Sequence, residues 1–186
     1  NMRFTPDIEK TKRYIQEGVI GKVLSIDFTE TLDRYHGADY FRRWHGRMRN
    51  SAGLLVHKAS HHFDGINWFA GALPETVTAL GRLSFYGSNG PFHGKRCSQC
   101  PHTRKCPFYA GVFANSFLRK LYKETETVDG YIRDACVYDP AIDIYDTVSA
   151  SIRYTNGIIA NYSLIAFASQ ESMSIAVEGT LGRIEL

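Results

Sequence analysis

No apolar run in the sequence approaches the roughly 18 residues of a membrane-spanning helix. No signal peptide is visible either. Strong charge is lacking too: 22 Lys and Arg stand against 19 Asp and Glu, for a net charge of +3. The basic residues are scattered among acids, which argues against a nucleic-acid partner and against a membrane surface. No Gly-x-Gly-x-x-Gly motif follows a strand, so the chain shows no dinucleotide-binding fingerprint of its own. A His-Glu-x-x-His motif is absent as well. Cysteine is scarce, with four in 186 residues, and three of those fall within ten positions.

Aromatic residues are abundant at 13%, with eleven Tyr and eleven Phe, which favours strands and aromatic-lined pockets. The length suits one domain with a sizeable core. Residues 53–69, Gly-Leu-Leu-Val-His-Lys-Ala-Ser-His-His-Phe-Asp-Gly-Ile-Asn-Trp-Phe, read as one helix of about four turns. Its apolar residues bury most of it, yet its middle carries His57, Lys58, His61, His62 and Asp64. Helical spacing makes His57 and His61 neighbours, and Lys58 and His62 neighbours. Ionisable groups on a mostly buried helix are costly unless paired or used, which marks a site. Two histidines four apart also suit zinc, but there is no accompanying Glu and Lys58 would repel a cation.

Elsewhere, Pro6 to Glu17 predicts a helix with Thr5 as its cap. A strand is expected over Val23 to Leu32, with Leu24, Ile26 and Phe28 inward. Residues 33–50 read as a long polar loop, and Arg34, Tyr35, His36, Arg42, Arg43, Trp44 and His45 suit it to binding sugars or carboxylates. A second strand is marked by Val77, Ala79, Leu83 and Phe85. Alternation resumes over 147–154 and 158–164, joined by the hairpin signal Asn156-Gly157, and two short strands close the chain. The expected class is α+β, one domain over 1–186: an open, mostly antiparallel sheet of about five or six strands with helices on one face. The other face, rich in Ser, Thr and Arg, suits solvent or a second copy of the chain.

Residues 87–143 look inserted, with a short helix over Val112 to Lys123. Cys97, Cys100 and Cys106, with the distant Cys136, have the pattern of a thiolate clip for a structural zinc. An iron–sulfur cluster, two disulfides and free thiols stay open, and His102 is an alternative ligand. The expected role is to staple a loop without its own core.

Several segments in order resemble one family. They are Asn1-x-Arg3-x-x-Pro6, Gly18-Val-Ile-Gly-Lys-Val23, Ala52 to Asp64, Trp68-Phe-Ala-Gly71, Pro74-Glu-Thr-Val77 and Glu178-Gly-Thr-Leu-Gly-Arg-Ile-Glu185. Together they resemble the C-terminal domain of the Gfo/Idh/MocA oxidoreductases, the glucose–fructose oxidoreductase and inositol dehydrogenase superfamily. The resemblance implies an NAD- or NADP-dependent enzyme acting on a sugar or cyclitol, active as a homo-oligomer through the open sheet face. It places the general acid/base on His61, with Lys58 beside it, and substrate contacts on His57, where the family often has Asp. It puts Arg3 on the cofactor side. His36, Arg42, Arg43 and Trp44 are expected to orient substrate, with Asp143 and Tyr145 as weaker candidates. The family's dinucleotide-binding Rossmann domain and its Glu-Lys-Pro lysine have no counterpart here. The chain is therefore expected to continue upstream in the natural protein and to lack activity alone. A cytoplasmic location is expected, or a periplasmic one if an export signal precedes Asn1. Competing readings are a non-catalytic scaffold, a metal hydrolase using His57 and His61, and the family's branch that hydrolyses glycosides through tightly held NAD.

Overall fold

Alternating burial organises the chain around a single sheet. The computed structural model describes residues 2–186. Its strands are β1 (Val23–Asp33), β2 (Pro74–Arg82), β3 (Thr147–Tyr154), β4 (Ile159–Ala168), β5 (Ser172–Gly179) and β6 (Arg183–Glu185). They lie in the order β2-β3-β4-β1-β5-β6. Only β1 and β4 pair in parallel; the other pairs are antiparallel. The expected α+β class with a mostly antiparallel open sheet is the one observed. The Asn156-Gly157 turn joins β3 to β4, with Gly157 at a φ of 86°.

One face of the sheet carries the core. Val148, Ala150, Ile152 and Tyr154 of β3 and Ala160, Tyr162, Leu164 and Ala166 of β4 are buried there. Helices α1 (Pro6–Gln16), α2 (Arg34–Arg42) and α5 (Ser60–Ala70) add Ile8, Phe41, Ile66 and Phe69 to the same cluster. Burying such side chains stabilises the fold by roughly 1.5–3 kcal/mol each. The opposite face is polar and internally bonded: Ser151 to Asn161 at 2.9 Å, and Asn161 to Asp27 at 3.0 Å.

Several expectations are corrected. Leu24 is half exposed rather than inward, because the β1–β5 register shifts between Val23 and Ser25. The second strand ends at Arg82 instead of reaching Phe85. Beyond it the Asp146 carboxylate accepts the backbone N–H groups of Ser84, Phe85 and Tyr86, so they make no strand ladder. Residues 33–50 are not a loop. They form α2, a 3₁₀ turn (Trp44–Gly46) and α3 (Met48–Ser51). Asp33 starts α2 by accepting from the N–H groups of Tyr35 and His36, both at 2.8 Å. The 53–69 helix is broken into α4 (Leu54–His57) and α5. The expected helix over Val112 to Lys123 is a 3₁₀ turn, a single α turn and a π turn. Its Phe117 and Leu121 stay exposed, so no buried stripe draws it straight.

Residues 87–143 have a core after all. Phe108 and Tyr138 pack with Phe85, Tyr86 and Phe167, where Phe85 and Phe167 stack at 3.6 Å. Arg96 binds the fully buried Asp134 at 2.5 Å and Glu126 at 2.6 Å. No metal-holding group is found at the expected thiolate clip among the described residues. All four cysteines are free, and among the described residues no three His, Cys, Asp or Glu side chains form a group that could hold a metal ion. The sulfurs have polar partners nearby, and Cys97 and Cys100 lie near enough to raise the thiols of both Cys106 and Cys136. Arg42 donates to Cys97 at 3.8 Å, while Cys100 and Cys136 accept backbone N–H groups from His102 and Tyr138. Burial pushes the thiols of Cys106 and Cys136 up, towards the neutral form.

Close approach explains one glycine. A Cβ on Gly37 would lie 1.8 Å from the Ala166 carbonyl oxygen, so α2 rests directly on the backbone of β4. A Gly37→Ala variant should lose about 3 kcal/mol or more of unfolding free energy, measured by urea titration. An unchanged midpoint would mean that α2 is not seated on β4.

Candidate active site

β1 sets the first half of the site. Ile26, Phe28 and Leu32 point inward, and Glu30 shares their phase. Its carboxylate is therefore driven into the core, at 6% exposure. Lys58 at the α4–α5 junction answers it, with Nζ 3.2 Å from Glu30 Oε1. His62 lies on the same carboxylate, its Nε2 4.0 Å from Oε2. The other ring nitrogen of His62 shares a 2.9 Å hydrogen bond with the Tyr162 hydroxyl, and the ring stacks on Phe28. Burial raises the pKa of Glu30, and the Lys58 ammonium opposes that rise. Burial, with His61 and Lys58 nearby, brings His62 down to about 3, so it is neutral.

The backbone is adapted at this place. Ala59 donates to the carbonyl of Leu54, five residues back, at 2.9 Å, which widens the turn between α4 and α5. Just before α4, Ala52 adopts φ 55°, a left-handed conformation that costs a residue with a Cβ. His61 stands on the first turn of α5, exposed, with its ring 4.5 Å from that of His62. Burial and then Lys58 lower its pKa, so near neutral pH it is a free base able to accept a proton.

The second half is a cavity of about 210 Å³ between α2 and α4, lined by His36, Asp39, Tyr40, Arg43, His45 and His57. His57 lies 4.2 Å from His45 and 5.3 Å from Trp44, measured between rings. Arg43 donates to the Tyr131 hydroxyl at 2.7 Å, and His36 bonds Glu171 at 3.0 Å. Burial, then the His57 and Arg43 charges, brings His45 down to about 4. Its buried Nδ1 has no hydrogen-bond partner.

The expected residues thus divide. His36, Arg43 and His57 meet around this cavity with Trp44 packed against His57, while Lys58 joins Glu30 and His61 lines neither this cavity nor its larger neighbour. Arg42 is buried and spent on Asp39 at 3.4 Å and the Phe108 carbonyl at 3.0 Å. Asp143 accepts the N–H of Met48 at 2.6 Å, at the start of α3. Tyr145 lies against Gly81 on β2. Arg3 makes a two-pronged ion pair with Asp64, at 2.5 and 2.6 Å, and its guanidinium lies over Trp68. Glu30, Tyr162 and Glu171 were not expected. The signal for Glu30 was its place in the inward phase of β1.

The depressed pKa of His45 links folding to pH. In the unfolded chain its imidazole protonates near 6.5, in the folded chain only near 4. The unfolded state therefore binds more protons between these values, and stability falls as pH drops through that window. A His45→Phe variant should lose less stability than the parent between pH 6.5 and 4, followed as Tm. Parallel Tm curves for the two proteins would remove His45 as the cause.

Residues 12–186 match the oxidoreductase family model for the Gfo/Idh/MocA C-terminal alpha/beta domain. YteT of Bacillus subtilis (strain 168), a protein named as an oxidoreductase, is 37% identical over 198 aligned positions, covering all of this chain and 46% of YteT. A levoglucosan dehydrogenase solved with NADH and levoglucosan has a TM-score of 0.64 at 19% identity, covering 100% of this chain and 38% of that one. The myo-inositol 2-dehydrogenase of Lactobacillus plantarum has a TM-score of 0.61 at 17% identity, covering 100% and 40%. The chain spans less than half the length of each of these relatives. With a family match over nearly its whole length, the chain belongs to the Gfo/Idh/MocA oxidoreductases and is their C-terminal alpha/beta domain.

Proposed function

We propose that this chain is the substrate-facing part of an NAD(P)-dependent dehydrogenase of a sugar or cyclitol, with His61 as the general acid/base. The observation that carries the reading is the pairing of an exposed, neutral His61 with a buried Lys58–Glu30–His62 network one turn away. Among the described residues no glycine-rich turn joins a strand to a helix as a phosphate cradle, so the dinucleotide would rest mainly on residues outside this chain. When bound, it supplies the hydride acceptor or donor. Arg3 is the residue of this chain assigned to its side, held in place by Asp64.

Oxidising an alcohol requires its hydroxyl proton to leave as hydride departs from the carbon. His61 takes that proton at a ring nitrogen and returns it in the reverse reaction. Lys58, anchored by Glu30, adds its charge to the burial that keeps His61 neutral and orients the hydroxyl oxygen. His36, Arg43 and His57 hold the remaining hydroxyls in the adjacent cavity. Exposed Leu80, Ile159 and Ile165 on the outer face of the sheet support docking of a second copy.

In the enzyme carrying its dinucleotide domain, His61→Ala should lower turnover by about two to four orders of magnitude, read as nicotinamide absorbance. Turnover equal to the parent would remove His61 from the mechanism. The lowered His61 pKa puts the acid limb of kcat/KM below pH 6.5, with rate lost as pH falls through it. An acid limb lying above pH 6.5 would count against a neutral histidine base.

A further inference from the structure

The His57 cavity does not end at α2. A larger cavity of about 410 Å³ lies beside it, and His36 and Asp39 line both. The far wall of the larger cavity comes from residues 107–112 and Arg133, all within the inserted segment. We propose that this second cavity is a subsite for a second sugar ring, so that the substrate is an oligosaccharide or glycoside rather than a free monosaccharide. This rests on the sugar reading above and names its substrate class.

Size is the first argument. The His57 cavity alone falls below the roughly 300–1,000 Å³ of ordinary small-molecule sites, which leaves room for one small ring. Joined to its neighbour, it comes well within that range. Lining is the second. Tyr35 and Tyr109 stand on the two walls at 61% and 50% exposure, Tyr109 on the inserted wall and Tyr35 on α2 with the Arg34 guanidinium 4.9 Å from its ring centre on one side. Aromatic faces of this kind present an apolar body with a polar tip, which suits a sugar ring with its C–H face and hydroxyl rim. Between them, Arg133 grips Asp39 with two parallel bonds of 2.8 and 3.2 Å. That pair offers hydroxyls both donors and acceptors at fixed positions.

Rigidity is the third argument. The wall is tied to α2 at both ends: the Arg42 guanidinium holds the Phe108 carbonyl at 3.0 Å, and Arg133 holds Asp39. The subsite therefore exists before ligand arrives, and binding costs little reordering. This also gives the insertion a purpose beyond its own packing.

The test uses the enzyme with its dinucleotide domain. The probes are glucose, galactose and myo-inositol against cellobiose, lactose, maltose and melibiose. Two variants are compared with the parent: Tyr109→Ala, which removes a ring face, and Val112→Trp, which fills the cavity. The parent should prefer at least one disaccharide. Both variants should lower the ratio of disaccharide to monosaccharide kcat/KM tenfold or more, with the monosaccharide value within twofold of the parent. A parent that prefers no disaccharide, or a ratio unchanged in both variants, overturns the subsite. Should none of the sugars reduce or oxidise nicotinamide, the dehydrogenase reading fails, and the subsite is decided by calorimetry with the same disaccharides. Binding that weakens tenfold in Val112→Trp supports it; absent or unchanged binding overturns it.

Discussion

The buried ion pair of Glu30 and Lys58 is the constraint around which the site is arranged. Glu30 takes a core-facing position on a strand between two buried neighbours, Phe28 and Leu32, where an unpaired carboxylate would be several kcal/mol too costly. Lys58 removes most of that cost only if the helix above β1 delivers its ammonium at the right depth. The widened turn at Ala59 is how it does so. Replacing the pair by apolar residues of similar volume could well stabilise such a domain, so stability does not account for it. What the pair does is hold a cation beside two histidines whose pKa values burial already lowers, and add its charge to that shift.

The sheet was legible because period-two burial is a strong signal. Residues 147–164 alternate so cleanly that strands, turn and inward faces match the expectation, although β4 continues to Ala168. The histidine-rich stretch 53–69 was legible as a candidate site but not as geometry. Its spacing predicts one straight helix, whereas the chain breaks at Lys58-Ala59, a step that no single residue there announces. Density of Arg and Tyr in 33–50 read as loop, although Asp33 is a good cap and Ala38 and Phe41 make a short inward stripe. There, polar decoration hid a helix that needs only two apolar contacts because Gly37 brings it onto β4. Glu30 went unseen for the opposite reason: one carboxylate in an alternating strand looks like an outward residue until its phase is counted.

The inserted segment shows that closely spaced cysteines do not imply a coreless loop. Three in a row with tight spacing suggest a staple for a coreless loop. The segment instead buries Phe108 and Tyr138 among aromatic residues from both sides of the insertion, and closes Arg96 over Asp134. Those aromatic positions are far apart in sequence and share no period, so only the folded chain brings them together. The same packing carries residues 107–112 to the wall of the cavity beside α2.

The local departures from ordinary folding rules gather in one place. A carboxylate occupies a core phase at Glu30, and a residue with a Cβ sits left-handed at Ala52. A hydrogen bond spans five residues at Ala59, and the buried Nδ1 of His45 has no partner. Each is unfavourable alone, and none is needed to close the sheet, whose strands satisfy one another without them. Four unrelated costs falling by chance around one short helix is a poor explanation, since a domain of this size can tolerate few of them. Their common neighbourhood is α4, which holds His57 over the cavity and hands the chain to Lys58 and His61. The fold has kept its strain around the candidate site, at the histidines and lysine of α4 and its junction with α5.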